Sequence, residues 1–329
     1  ARLTNPNLFF DQKEEQLICL DEIQMQPDLL EVLKSIIDQR DRNGQLLVLE
    51  SASPELVKKS SETLAGRIAF VELKPISVSE AGKDEETQVW LRGGFPKSYL
   101  ANTIKASMSW RKNFIRTFLE RDLNLWGVGV PTAMMRRFWR MCAHLHGQVV
   151  NFSQIGKSLG VSHTTARHYL DIMQQTFMVR LLEPYHGNLR KRIIKSPKLF
   201  LTDAGILHAL LDISSMDDLL GHPVAGASWE GFVLQQLWAE FEDWHFAYIR
   251  TSGQEELDII MEKGRKKLTI ACKLSRSPKI EKSFYNLLSS LDLEEGMVIA
   301  PVKQAFPLSK QVTVYPLADA IAEINQFAK

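Results

Sequence analysis

Residues Leu17 to Gln24 read LICLDEIQ. A short apolar run ends in a pair of carboxylates, Asp21 and Glu22. An unbroken apolar run suits a strand covered on both faces, as in parallel sheets. Two acids at the end of such a strand suit phosphoryl chemistry, in which one acid serves Mg²⁺ and a second orients the attacking water. Working outward, Leu29, Leu30, Leu33, Ile36 and Ile37 recur at helical spacing. Gln45–Leu49 (QLLVL) reads as the next strand. Ser51-Ala-Ser-Pro54 marks a turn into a helix, with Pro54 at an early helical position. Ile68–Leu73 (IAFVEL) reads as a third strand, closed by Pro75. Alternating strand and helix predict a parallel α/β sheet. Three strands are few for a free-standing doubly wound domain, so the segment reads as part of one.

The chain has 329 residues, 45% hydrophobic and 24% charged, the composition of a globular protein of two or three domains. No apolar run approaches the ~18 residues a membrane span needs. No basic-then-apolar leader opens the sequence. Cys19, Cys142 and Cys272 lie far apart among mostly apolar or small neighbours, and show no metal-ligand spacing. They read as reduced core thiols, which predicts a cytoplasmic protein. The net charge of +1 conceals an uneven distribution. Residues 91–200 carry 18 Lys and Arg against 4 Asp and Glu, while the segments on either side are acidic. So basic a middle predicts a surface for a polyanion, or one that docks against its own neighbours.

A phosphate-binding loop of the form G-x-x-x-x-G-K-[ST] wraps phosphates in backbone N–H groups. Gly156-Lys157-Ser158 fails that pattern, because Asn151 stands where the first glycine belongs and the surroundings read helix–turn–helix. Gly82-Lys83 fails too, being followed by Asp84.

The order LICLDEIQ, then ESASPELVKKSSETLAGRIAFVEL, then WLRGGFPKSYL, resembles a family of bacterial and archaeal AAA-type P-loop ATPases. The later stretches NFIRTFLERDL and SPKLFLTDAGIL resemble the domain of unknown function that follows in that family. The resemblance implies that the chain is a fragment whose phosphate loop lay upstream of Ala1. It implies that Asp21 is the Mg²⁺-linked acid of the Walker B strand and Glu22 the water-positioning acid. Arg67, in LAGR, matches an arginine that acts as an arginine finger or holds a surface salt bridge. Mg²⁺ and ATP are then the cofactors of the parent. The family usually has Thr-Gly just before Ser-Ala-Ser-Pro, and here those positions are Leu49 and Glu50. Leu49 cannot hydrogen-bond a γ-phosphate, and without the phosphate loop this chain is expected neither to hold ATP tightly nor to hydrolyse it.

Asn151–Glu183 fits a winged helix–turn–helix. Ser153 caps a first helix, Gly160-Val161-Ser162 makes the turn, and Ser162 caps a second helix with Ala166, Tyr169, Leu170 and Met173 inward. Its outward face carries His163, Thr164, Arg167, His168 and Asp171. The first four suit base edges of double-stranded DNA, whereas Asp171 does not. Val179–Leu182 starts the wing, and Arg190, Lys191, Arg192, Lys195 and Lys198 after its turn suit phosphates. Winged helices also contact proteins, so a protein partner or self-association stands as the alternative.

In the last third, Glu230 begins an apolar helix. His245–Arg250, Glu256–Ile260 and Leu268–Leu274 read as successive strands. The order resembles the PD-(D/E)xK nuclease fold. That resemblance implies Glu230, Asp258 and Lys273 as remnants of a Mg²⁺ site. Alternation along the third strand puts Ala271 in the place of the remaining acid, so the nuclease is expected to be inactive.

The expected architecture is therefore α/β and multidomain. It has a partial parallel-sheet ATPase core over residues 1–88, a helical lid over 89–142, a winged helix over 143–187 and a restriction-endonuclease-like α/β domain over 188–329. The expected function is that of an ATP-binding protein acting with DNA in its full-length form. The alternatives are a DNA-binding or protein-interaction module without catalysis, and a metal-dependent nuclease.

Overall fold

The structure is a computed structural model that describes residues 6–21, 23, 26, 28–40, 42–49, 64, 66–123, 129–187, 193–293 and 295–329. The chain groups into two compact units, residues 1–73 with 171–177, and residues 74–170 with 178–329. No helix among the described residues is long and apolar enough to cross a membrane.

In the first unit, α1 (Pro6–Asp11) precedes β1 (Ile18–Leu20), α2 (Leu29–Arg40) and β2 (Leu46–Val48). β1 and β2 are parallel, with Ile18 opposite Leu46 and Leu20 opposite Val48. The apolar stripe of α2, Leu29, Leu30, Leu33 and Ile36, is buried together with Phe10, Ile18 and Ile23. Cys19 is exposed rather than in the core, whereas Cys142 is buried and Cys272 half-buried; all three are free thiols.

The third expected strand is absent. Ile68–Leu73 runs without strand pairing, and Phe70, Val71 and Leu73 are 62%, 90% and 96% exposed. The physical reason is that no ladder forms along this run among the described residues. A strand is held by its ladder, and among the described residues β2 pairs only with β1. The Ser51–Pro54 turn lies outside the described residues.

The longer helices at the start of the second unit are α3 (Glu86–Arg92), α4 (Ile104–Thr117) and α5 (Thr132–His144). A single π-helical turn, Phe118–Asp122, follows α4. Trp90, Phe118, Phe138 and Trp139 are buried, as a helical core requires. Phe95, Trp110 and Phe114 are half-buried and lean on one another with centroids 4.9–5.6 Å apart. Trp126 lies outside the described residues.

Next come β3 (Gln148–Val149), α6 (Phe152–Leu159), α7 (His163–Gln175), β4 (Val179–Leu182) and β5 (Lys198–Leu201). The strands form an antiparallel sheet of order β3-β5-β4. Gly160 ends α6 in the left-handed region, φ 72°, where a side chain would be strained. The Ser162 hydroxyl accepts the Thr165 N–H at 3.0 Å, the expected cap of α7. At α6 the cap is Asn151, not Ser153: its Oδ1 accepts the Gln154 N–H at 3.1 Å, which places the helix start two residues earlier. The described flanks of the segment between β4 and β5 pair with the next sheet. Tyr185 N donates to Tyr248 O at 2.8 Å, Tyr248 N to Glu183 O at 3.0 Å, and Ile194 N to Arg250 O at 2.8 Å.

α8 (Ala204–Leu210) and α9 (Ala225–Glu240) lead into a six-stranded sheet. Its members are β6 (His245–Arg250), β7 (Glu256–Lys263), β8 (Lys266–Cys272), β9 (Gly296–Ile299), β10 (Phe306–Pro307) and β11 (Val312–Tyr315). The order is β10-β11-β9-β8-β7-β6, with β6, β7 and β8 antiparallel and β8, β9 and β11 parallel. Two helices, α10 (Lys282–Ser290) and α11 (Leu317–Ala328), complete it. Trp229, Phe232 and Leu237 of α9 share one apolar core with Ile259, Ile270 and the α11 residues Leu317 and Ile321. Phe284, Leu287 and Leu288 of α10 share a second with Ile260, Ala271 and Val298.

Candidate functional site

Parallel register places the carboxyl ends of β1 and β2 side by side. Leu49 N donates to Leu20 O at 2.8 Å, so Asp21, the next residue after β1, and Leu49, the next after β2, stand on one rim. Parallel α/β sheets bind ligands at that rim. Asp21 is exposed, and Leu49 is 42% exposed. Glu22 lies outside the described residues. The rim offers Mg²⁺ one described acid, and the sequence offers phosphates no glycine-rich cradle. These residues alone do not fit a Mg²⁺–nucleotide complex. Arg67 grips Asp38 of α2 with two hydrogen bonds, Nε to Oδ1 and a terminal nitrogen to Oδ2 at 3.1 Å. The Arg67 hydrogen bond holds the Asp38 carboxyl below its ordinary pKa. That geometry matches the salt-bridge alternative for Arg67.

On α7, His163, Thr164, Arg167, His168 and Asp171 are all exposed, and Ala166, Tyr169, Leu170 and Met173 are buried. The Arg167 guanidinium lies 4.5 Å from the Phe152 ring centroid, a cation–π contact that steadies it on α6. Lys157 of α6 and Arg137 and Arg140 of α5 are exposed as well. Arg190, Lys191 and Arg192 lie outside the described residues. Part of the basic middle is used internally. Arg111 is fully buried, Arg92 donates to the carbonyls of Tyr99 and Ala101, and Arg116 and Arg136 both pair with Glu120.

Near the last sheet a buried lysine gathers acids around it. Lys198 of β5 places its ammonium 2.8 Å from Glu230 Oε1 of α9 and 2.5 Å from Glu256 Oε1 of β7. Asp258 Oδ2 accepts the Cys272 backbone N–H at 2.8 Å, and its charge acts on Lys198, Glu230 and Cys272 alike. Burial alone would lower the Lys198 pKa, but Glu230, Asp258 and Glu256 outweigh it and hold it above the ordinary lysine value. Burial pushes Glu230 up to about 7 against the pull of Lys198. Burial also pushes the Cys272 thiol well up, with Asp258 and Glu230 adding to the rise.

The ammonium bonded to Glu230 is that of Lys198, while Lys273 is half-buried and donates its backbone N–H to Ile299 O at 3.0 Å. One expectation changes here. The residue facing the acids is Cys272, since Ala271 packs in the α10 core with Ile260 and Val298. Alternation separates Ala271 from Cys272 correctly but does not say which of them fronts the acids. A neutral thiol and a bonded ammonium are poor company for a hard divalent cation. Among the described residues no group of three or more His, Cys, Asp or Glu side chains is placed to hold a metal ion. The donor set does not fit Mg²⁺. Lys198, expected to meet phosphates, is instead buried with its ammonium held by Glu230 and Glu256; the signal for this was its place as a lone charge at the head of the otherwise apolar run Leu199–Leu201.

The glycines of WLRGGFP and LTDAGIL meet in a backbone lock. Asp203 accepts the N–H groups of Gly94 and Ile206, both at 2.8 Å. A Cβ on Gly205 would lie 2.1 Å from Arg92 O, and one on Gly93, whose φ is +77°, 2.2 Å from Asp203 Oδ1. Arg111 spans the lock, donating to Gly205 O at 2.8 Å and Leu91 O at 3.3 Å. Burial lowers the Arg111 pKa to about 10. Beside it, Trp90 Nε1 donates to Ser228 Oγ at 3.0 Å, and Ser228 Oγ meets His208 Nε2 at 2.8 Å. The motifs most visible in this part of the sequence therefore hold the fold.

A parallel pair with an acid on its rim, followed by helical and mixed α/β elements, makes the chain a mixed α/β protein, and its first part is similar to AAA domains. Residues 1–82 match the family described as AAA domain, residues 83–217 a domain of unknown function (DUF8612) and residues 225–320 a domain of unknown function (DUF4143). The uncharacterized protein Rv2008c of Mycobacterium tuberculosis is 42% identical over 305 residues, covering 93% of this chain and 69% of that protein. The uncharacterized protein Mb2031c of Mycobacterium bovis matches to the same extent. The chain belongs to the family of these mycobacterial proteins.

Proposed function

We propose that the chain carries the acid-bearing part of an ATP site and a DNA-contacting module, with the phosphate cradle supplied by sequence outside these 329 residues. The observation that carries the first half is the β1–β2 rim. Asp21 stands at the carboxyl end of a parallel pair, while β2 has an unpaired edge among the described residues and the apolar run 68–73 has no ladder. A further strand pairing along β2 would complete both. Asp21 is then the Mg²⁺-linked acid, Glu22 orients water, and Arg67 stays with Asp38 unless a neighbouring nucleotide draws it away. On this reading the 329 residues alone bind Mg²⁺–ATP without measurable affinity.

The second half treats α5–α7 and the β3-β5-β4 sheet as a winged helix with α7 as its reading helix. Its support is the exposed row His163, Thr164, Arg167 and His168, backed by Lys157, Arg137 and Arg140. Arg190, Lys191 and Arg192 would meet phosphates. The full chain is expected to bind duplex DNA with an affinity that falls steeply with salt. Arg167→Glu should weaken that binding about tenfold or more in a mobility-shift titration at constant salt. Unchanged affinity in Arg167→Glu, or binding indifferent to salt, would favour a protein-contact role for this face. The six-stranded domain is read as a nuclease-like scaffold without nuclease chemistry, because its acids are engaged by an ammonium.

A further inference from the structure

The Lys198 cluster asks for an explanation of its own, whatever the last domain descends from. A lysine 2% exposed at its side chain is rare and costly unless several partners hold its charge. Here Glu230 and Glu256 both touch the ammonium, the Tyr248 ring centroid lies 5.2 Å away, and the charge of Asp258 acts on it. The partners come from α9, β6 and β7 of the six-stranded domain, while Lys198 itself begins β5 of the three-stranded sheet. The backbone makes the same connection nearby. Ile194 N donates to Arg250 O at 2.8 Å, and the Tyr248 hydroxyl donates to Ser196 O.

We infer that Lys198 is the resident cation of this carboxylate cluster, taking the role a divalent ion would otherwise have among these acids, and that the cluster is a metal-free joint fastening the β3-β5-β4 sheet to α9 and β7. Three features converge on it. The ammonium already satisfies Glu230 and Glu256. Asp258 is engaged by the Cys272 N–H. The remaining side chain facing the acids is a thiol, not a carboxylate. A tethered cation holds two elements in one orientation, as an exchangeable ion would, but independently of ion supply. The orientation of the helix–turn–helix relative to the six-stranded sheet is thereby built in. The inference stands on the contacts of Lys198 and survives if the nuclease-like reading fails.

The test uses the full chain, thermal unfolding and Mn²⁺ electron paramagnetic resonance. Wild type should show no Mn²⁺ bound at this cluster and no shift in melting temperature with millimolar Mn²⁺. Lys198→Met strands the acids in a buried site and should lower the melting temperature by several degrees or prevent folding. Lys198→Met combined with Glu230→Gln removes the most buried of the stranded acids and should recover part of the loss. Two outcomes overturn the proposal: Mn²⁺ binding by wild type that disappears in Asp258→Asn, or a double variant no better than Lys198→Met alone. The wild-type Mn²⁺ measurement decides the metal-free claim even if both substituted chains fail to fold.

Discussion

Gly205→Ala should destabilise the chain by about 3 kcal/mol or more, against a gain of about 1 kcal/mol that helix propensity alone would give it. The two expectations differ in sign, which makes the measurement decisive. Gly205 lies at the second position of α8, where alanine is ordinarily the better residue. A Cβ there would sit 2.1 Å from Arg92 O, 2.4 Å from Arg92 C and 2.7 Å from Gly93 N, all of them backbone. No rotamer change relieves such a clash, and separating α8 from the Arg92–Gly94 turn would break the Gly94 N–H bond to Asp203 and loosen Arg111 on Gly205 O. Urea unfolding at neutral pH reads the effect. A variant as stable as wild type, or more so, would show that the lock is not tight.

The second large effect is a pH dependence carried by His208. The ring is buried, with Nδ1 3.0 Å from Leu91 O and Nε2 2.8 Å from Ser228 Oγ. The carbonyl can only accept, so Nδ1 carries the hydrogen. Nε2 then accepts from the Ser228 hydroxyl, whose oxygen also accepts from Trp90 Nε1. Every group in that chain is satisfied only while the imidazole is neutral. Burial, offset in part by the Leu91 carbonyl, lowers the His208 pKa to about 4 from 6.5. Between those values the unfolded chain binds the extra proton and the folded chain does not. The stability due to neutral His208 is therefore full above pH 6.5 and is lost as the pH falls toward 4. The size is about 1.4 kcal/mol per pH unit, or roughly 3 kcal/mol across the window. Other groups titrate in the same range, so the informative quantity is a difference. The slope of unfolding free energy against pH should be steeper in wild type than in His208→Gln by about 1.4 kcal/mol per unit. Equal slopes would mean that His208 is protonated in the folded protein.

Much of the architecture is legible in the sequence because local rules agree with the fold. LICL and LLV announce β1 and β2, HFAYIR is β6 end to end, and Gly160 followed by Ser162 marks the turn between α6 and α7. The burial of Ala166, Tyr169, Leu170 and Met173 follows from helical period alone. What escapes is whatever depends on a distant partner. Ile68–Leu73 has the composition of a strand, yet a strand requires a neighbour, and sequence does not say whether one is present. The parity of Ala271 and Cys272 is local, but which of them faces the acids is set by where α9 and α10 pack. Lys198 and Glu230 meet across 32 positions. The Asn151 cap was within reach, since Asn and Ser are near equals as caps and Asn151 stands two residues before Ser153.

The central claim is that Asp21 belongs to an ATP site whose phosphate-holding half lies outside these residues. The exposure of Asp21 counts against the claim, and Glu22 lies outside the described residues, so binding itself has to decide. Titration with a fluorescent ATP analogue in the presence of Mg²⁺ does discriminate. It should be made on the 329-residue chain and on the same chain extended by the polypeptide encoded immediately upstream of Ala1. The account predicts no saturable binding to the first, and saturable binding to the second that weakens in Asp21→Ala. Tight binding by the 329 residues alone, or extended chains that bind equally well with and without Asp21, would contradict it.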